Sequence, residues 1–337
     1  MDNLTRDAFT RGVANHTEPW APLLSDAALD LFSFVMFMII SCPSCCLGIV
    51  TNIANIVVYT KMGFSESSNV NFLALSVFDF LASVTILAMR TLYIPYFKGL
   101  ANAALARYIS HCLSHAIYVV IGGSAMMTAL IAVERCICVV FPIKVKTWLT
   151  RRRSLYLMLT VVAYHLAFLV LIYSDPGPPY DAHPKKIAFY YVALYSIPST
   201  TCFFVVVVST IFLVVHLRRN QRWRKQTSSR SVKTSDKEER LVKTIIAISI
   251  IFIICSFGNV SIFIASILYP PFQYSNPYFA NLVLAFFGVS LNFQTVSACL
   301  NFFFYYRMSS RFKRVFHTRF APCRTGKSDA SISGTKD

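Results

Sequence analysis

Ala132-Val133-Glu134-Arg135-Cys136-Ile137-Cys138-Val139-Val140-Phe141-Pro142 decides the fold class of this chain, because it sets an acid beside a base at the end of a long apolar run. Residues 108–140 are long enough to cross a bilayer as one helix, since about 20 apolar residues span its ~30 Å hydrocarbon core. A charge at the centre of such a span costs about 2.5–3.5 kcal/mol, which makes every charged residue within one a functional candidate. The pattern repeats outward in both directions. Residues 28–60, 70–94, 154–173, 188–216, 241–269 and 278–306 give six more spans, the fourth in chain order being the shortest. The expectation is an all-α membrane protein: a seven-transmembrane helix bundle.

Composition agrees. Of 337 residues, 55% are hydrophobic and 14% charged, where a soluble domain carries roughly a quarter charged. The opening residues are polar, with Asp2, Asp7 and Glu18, and have no apolar core behind a basic start. The first span is therefore expected to act as its own targeting signal. The net charge of +17 does not point to nucleic acid, because the cations sit in short segments between spans and not on one folded face.

Those cations orient the chain. Segments 141–153, 217–240 and 307–337 are dense in Lys and Arg, whereas 95–107, 174–187 and 270–277 hold only Lys98, Arg107, Lys185 and Lys186. Basic loops stay in the cytoplasm, so the amino terminus is expected outside, in the plasma membrane. Residues 1–27 then form an extracellular tail, and Asn3-Leu4-Thr5 and Asn15-His16-Thr17 are glycosylation acceptors on that side. Residues 307–337 form a cytoplasmic amphipathic helix and tail. Phe312, Phe316 and Phe320 recur every four residues among Arg311, Lys313, Arg314 and Arg319, the pattern of a helix lying on anionic lipid headgroups. Cys323 beyond it is a candidate for lipidation; most of the ten cysteines fall in apolar runs and read as small hydrophobes.

Polar residues inside the spans carry the next inference. Asp79 lies mid-span in Leu73-Ala74-Leu75-Ser76-Val77-Phe78-Asp79-Phe80, and the last span ends Asn301-Phe302-Phe303-Phe304-Tyr305. With Asn52, Asn69, Leu75, the Glu134-Arg135-Cys136 triplet and Pro198 in order along the spans, the chain resembles a rhodopsin-like (class A) G-protein-coupled receptor over about residues 28 to 320. Within that superfamily it is similar to divergent, molluscan chemosensory-type receptors. It departs from the pattern in four places. Phe302 replaces the last-helix Pro, and Cys255-Ser256-Phe257-Gly258 lacks the sixth-helix Trp and Pro. The fourth span has no Trp, since Trp148 comes too early. Cys112 is displaced by two residues, and no Cys lies in 174–187, so the family's extracellular disulfide is not expected.

The resemblance implies a receptor, not an enzyme, that takes an extracellular small molecule or peptide into the outer half of the bundle and activates a heterotrimeric G protein by moving its sixth helix. Arg135 would be locked at rest by Glu134 and Glu238, with Tyr305 completing the coupling surface. Asp79, Ser124, Ser297 and Asn301 resemble a polar pocket that takes a sodium ion, Asp79 being its metal-binding carboxylate. Pro198, Ala125 and Phe252 match the packing positions that link pocket to helix movement. Ile117 stands where amine receptors need an acid, and Thr295 marks the region where a retinal-binding Lys is missing, so both those ligand classes are disfavoured. Arg90 offers a cation to an acidic ligand, with His115, Tyr118, Asn259 and Gln294 as candidate contacts. Hydroxyls in 227–235 and 328–335 sit beside basic residues, where phosphorylation would recruit an arrestin-like partner. A neuropeptide ligand is the alternative within the class. An ion channel or transporter is the alternative outside it, disfavoured because only Asp79 lies deep in a span and no internal repeat is evident.

Overall fold

The computed structural model describes residues 21–92, 103–141, 150–174, 189, 191–226, 233–274 and 276–320; a few side chains within those helices, that of Glu238 among them, lie outside the description. Seven helices there are long and apolar enough to cross a membrane. They are α1 (Asp26–Met62), α2 (Ser67–Leu92), α3 (Ala103–Val140), α4 (Arg151–Tyr173), α5 (π-helical Val192–Ser196, then Ile197–Gln226), α6 (Lys233–Leu268) and α7 (Ala280–Met308). A short α8 follows at Ser310–Phe320. The seven-helix bundle with a trailing amphipathic helix is the architecture that the apolar periodicity predicts.

Local chemistry sets the ends and bends. The Ser25 hydroxyl caps α1 by accepting from the Ala28 amide at 3.3 Å, with Asp26 in the first turn favouring the helix dipole. At the other end Gly63 takes φ 79°, open to glycine without a Cβ clash. Its carbonyl accepts from the Asn69 side chain at 3.0 Å, which ties the corner between α1 and α2. Thr150 and Ser309 cap α4 and α8 in the same manner as Ser25. Both π-helical turns, Phe37–Ser41 and Val192–Ser196, come just before a proline, Pro43 or Pro198. Proline has no amide hydrogen for the carbonyl four residues back. For Pro198 that carbonyl is Leu194, and the Tyr164 hydroxyl of α4 donates to it instead, at 2.7 Å.

α3 is the central rod, packed on α2, α4, α5 and α6, while α7 packs on α1, α2 and α6. α4 is peripheral. Large apolar side chains such as Val170, Val208 and Ile254 are more than 60% exposed on the outer faces. A soluble monomer rarely exposes such continuous apolar surface, whereas lipid tails accept it.

The departures from the superfamily pattern have local explanations. α6 and α7 each run as one α-helix through Gly258 and Phe302. A Cβ at Gly258 would come within 2.8 Å of the Ser290 hydroxyl oxygen, so the glycine allows α6 and α7 to close on each other. Phe302 joins Tyr306 and Phe316 in an aromatic stack beneath α8. The described cysteines, Cys112 included, are free thiols.

α8 is anchored by Phe312, whose ring is fully buried 5.4 Å from Tyr59 and 5.9 Å from Tyr305. Arg311 adds contacts of 3.0 Å to Glu66 and to the Met62 carbonyl. Phe312→Leu keeps the apolar volume but removes the ring contacts, worth about 1 kcal/mol. Amide exchange within 310–320 should then quicken about fivefold with α2 unchanged. Equal exchange in both proteins would show that the ring does not hold α8.

Candidate functional site

The last turns of α3 deliver Glu134 and Arg135 to the end of the bundle where α1, α3, α5 and α7 finish, and both side chains are buried there. Arg135 Nη2 lies 2.8 Å from Glu134 Oε1 and also donates to Ser68 Oγ at the start of α2. Glu134 Oε1 accepts from Ser67 Oγ at 2.7 Å, and Oε2 accepts from Asn71 Nδ2. Ser67 Oγ lies 2.6 Å from Ser154 Oγ on α4. Every one of these donors lies within the bundle, so the carboxylate oxygens are satisfied by side chains. Arg135 Nε meets no hydrogen-bond partner among the described residues. Ser67, Ser68, Asn71 and Ser154 were not legible as site residues. The only hint was that Ser67 and Asn71, one turn apart, share an edge of their helix.

Glu238, the expected sixth-helix partner of Arg135, belongs to α6, but its side chain lies outside the described residues. The described contacts at that end lead elsewhere. Gln221 of α5 donates to Glu239 at 3.0 Å, and Glu239 pairs with Lys243 at 2.6 Å. Arg240 donates to Ser310 of α8 at 3.4 Å. Tyr305 is buried in a ring cage of Tyr59, Phe72 and Phe312, and its hydroxyl meets no hydrogen-bond partner among the described residues.

Halfway along the bundle, Asp79 joins three helices. One oxygen accepts from Ser124 of α3 at 2.6 Å and the other from Asn301 of α7 at 2.8 Å. Ser297 lines the same cavity, with Thr128, Gln294 and Phe252. The cavity offers about 20 Å³ to the centre of a water-sized sphere, enough for one water or a small ion. Its donors are oxygens around a single carboxylate, which suits a hard cation. Asn52 closes the network toward α1, donating to the Gly48 and Ala298 carbonyls at 2.9 and 3.1 Å. Ala125 and Phe252 meet in one apolar cluster with Ala129, Ala132 and Val206. Pro198 is not in that cluster; it follows the π-helical turn of α5.

The five candidate ligand contacts separate into groups. Arg90 is half-buried and turns toward α7, with Nη2 3.4 Å from where a Gly288 Cβ would stand. Tyr118 packs against Tyr191, Tyr195 and Phe287 at ring distances of 4.8, 4.9 and 6.0 Å. Asn259 hydrogen-bonds Tyr195, and Gln294, in the wall of the Asp79 cavity, donates to Ser256 at 3.1 Å. His115 faces α4, its ring edge-on to Tyr173 at 5.7 Å and its Nδ1 3.4 Å from the hydroxyl. The site therefore separates His115 from the residues it was grouped with and adds Tyr191 and Tyr195. Asn3, Asn15 and Cys323 lie outside the described residues.

Comparison with known proteins gives a resemblance over part of the chain. Residues 177–322, less than half of the chain, match the family described as serpentine type 7TM GPCR chemoreceptor Srw. No curated protein matches the chain. The matched stretch takes in α5, α6, α7 and α8, which hold Asn301, Tyr305 and the anchored Phe312. The chain thus carries seven helices long and apolar enough to cross a membrane and is similar, over its carboxyl-terminal part, to the serpentine Srw chemoreceptors.

Proposed function

We propose that this receptor sits in the plasma membrane with its amino terminus outside, binds a chemosensory ligand in the outer half of the bundle, and activates a heterotrimeric G protein at the opposite end. The observation that carries the reading is the buried Glu134–Arg135 pair. A guanidinium held inside the basic end of a bundle is a donor in reserve, and outward movement of α6 would open a groove in which a partner helix meets it. The Lys and Arg segments and the acceptor sites Asn3 and Asn15 support the orientation.

The polar centre supports a two-state device. Asp79, Ser124, Ser297 and Asn301 would hold a sodium ion, which supplies a positive charge beside the carboxylate when bound. The residues themselves tie α2, α3 and α7 together, so a change at any of them biases the whole bundle. In the outer half, Arg90 turned into the bundle supports an acidic ligand, with the Tyr118, Tyr191 and Tyr195 rings offering stacking surface.

The test is a ligand-library screen in cells carrying a promiscuous G protein, read as calcium release. A library rich in small acids should contain agonists. Arg90→Gln should then weaken an acidic agonist about tenfold, the worth of one charge-assisted hydrogen bond, and leave agonist-free signalling alone. Unaltered potency removes the cation anchor. A receptor at the surface that never raises calcium, with or without agonist, removes the G-protein reading.

A further inference from the structure

α2 supplies the side-chain contacts to Glu134 and Arg135 that the expected lock did not include. Arg135 Nη2 is shared between Glu134 and Ser68, and Glu134 is itself claimed by Ser67 and Asn71. Ser154 extends the hold to α4 through Ser67. All these groups are buried or half-buried, so water competes little for them. We infer that Ser68 and Asn71 are positioning residues that clamp Arg135 toward α2 at rest and thereby set the agonist-free signalling level. This rests on the G-protein reading above and names the regulation of that same site.

The two residues do different things. Ser68 gives Arg135 its acceptor on a neighbouring helix, so it sets how readily the guanidinium swings out. Asn71 holds the Glu134 carboxylate on the α2 side, so the acid stays behind when the arginine leaves. The described interhelical contacts of Glu239 and Arg240 at the start of α6 run to α5 and α8, whereas the contacts of Ser68 and Asn71 run to α3.

The experiment uses the full chain in nanodiscs, at amounts matched by a thermal unfolding signal, and reads nucleotide exchange on a purified heterotrimer with no agonist added. Loss of a hydrogen bond to a charged group shifts a two-state equilibrium about tenfold. Ser68→Ala should therefore raise agonist-free exchange by about that factor, and Asn71→Ala should raise it as well. Ser68→Thr, which restores a hydroxyl, should bring the rate back down. Adding Arg135→Ala to Ser68→Ala should return exchange to the level of the G protein alone. If Ser68→Ala exchanges at the wild-type rate while Arg135→Ala lowers it, the clamp is wrong and the receptor reading stands. If no variant, Arg135→Ala included, changes exchange, both fall.

Discussion

Arg135→Ala should cut G-protein activation about 30-fold or more while leaving the receptor folded and at the cell surface. The fold survives because Glu134, once its ion-pair partner is gone, still accepts from Ser67 and Asn71. Removing one member of a buried pair costs most when the other is left with nothing, and that is not the case here. Function falls, because the guanidinium brings five fork-like donors to a partner and alanine brings none. Truncating an arginine at the centre of an interface commonly costs 2 kcal/mol or more, about 30-fold in affinity. Exchange on a purified heterotrimer, normalised to surface or nanodisc receptor, measures it. Arg135→Gln, whose shorter side chain keeps one amide donor near the position of the arginine Nε, should fall between. Wild-type exchange by Arg135→Ala would remove the central claim about this end of the bundle.

Gly123→Val should leave almost no folded receptor. A Cβ at Gly123 would stand within 2.7 Å of three ring atoms of Phe78 on α2, where real contacts do not occur. Phe78 is buried and has no simple retreat, since the His165 ring of α4 lies 6.3 Å away. Next along the chain, a Cβ at Gly122 would meet His165 Nε2 at 2.8 Å. The Gly122-Gly123 pair thus lets α2 and α4 bring rings against the backbone of α3. Overpacking costs about 1–3 kcal/mol and occasionally more; here valine adds three carbons where the first already collides. The decisive comparison is a double-mutant cycle. Phe78→Ala alone should destabilise by leaving a cavity, yet added to Gly123→Val it should raise surface level and thermal midpoint above those of Gly123→Val. A Gly123→Val protein with the wild-type midpoint would show that this contact is not tight.

At the α6 end the described residues add contacts that the motif did not name, while the side chain of Glu238 lies outside them. Twenty residues before Gly258, the superfamily pattern selects Glu238. The described contacts at that end involve its neighbours Glu239 and Arg240, one reaching α5 and the other α8. Asp79 was easier to read. A lone carboxylate in mid-span needs donors from neighbouring helices, and Ser124 and Asn301 supply them. His115 was harder, because a polar residue on a central helix can face any of four neighbours, and it faces α4.

Length and hydropathy along the chain determine that there are seven crossings and a trailing amphipathic helix, because only an apolar run of sufficient length satisfies both the lipid and its own backbone. The same one-dimensional information marks Asp79, Glu134 and Arg135 as consequential, since a charge in such a run is costly wherever the helices later pack. Which side chains answer those charges was decided only when the helices came together. Ser67, Ser68 and Asn71 are ordinary polar residues at a helix start until α2 lies against α3. Gly123 is an ordinary glycine until the Phe78 ring rests on it. Both depend on distances between segments far apart in the chain, which no local pattern encodes.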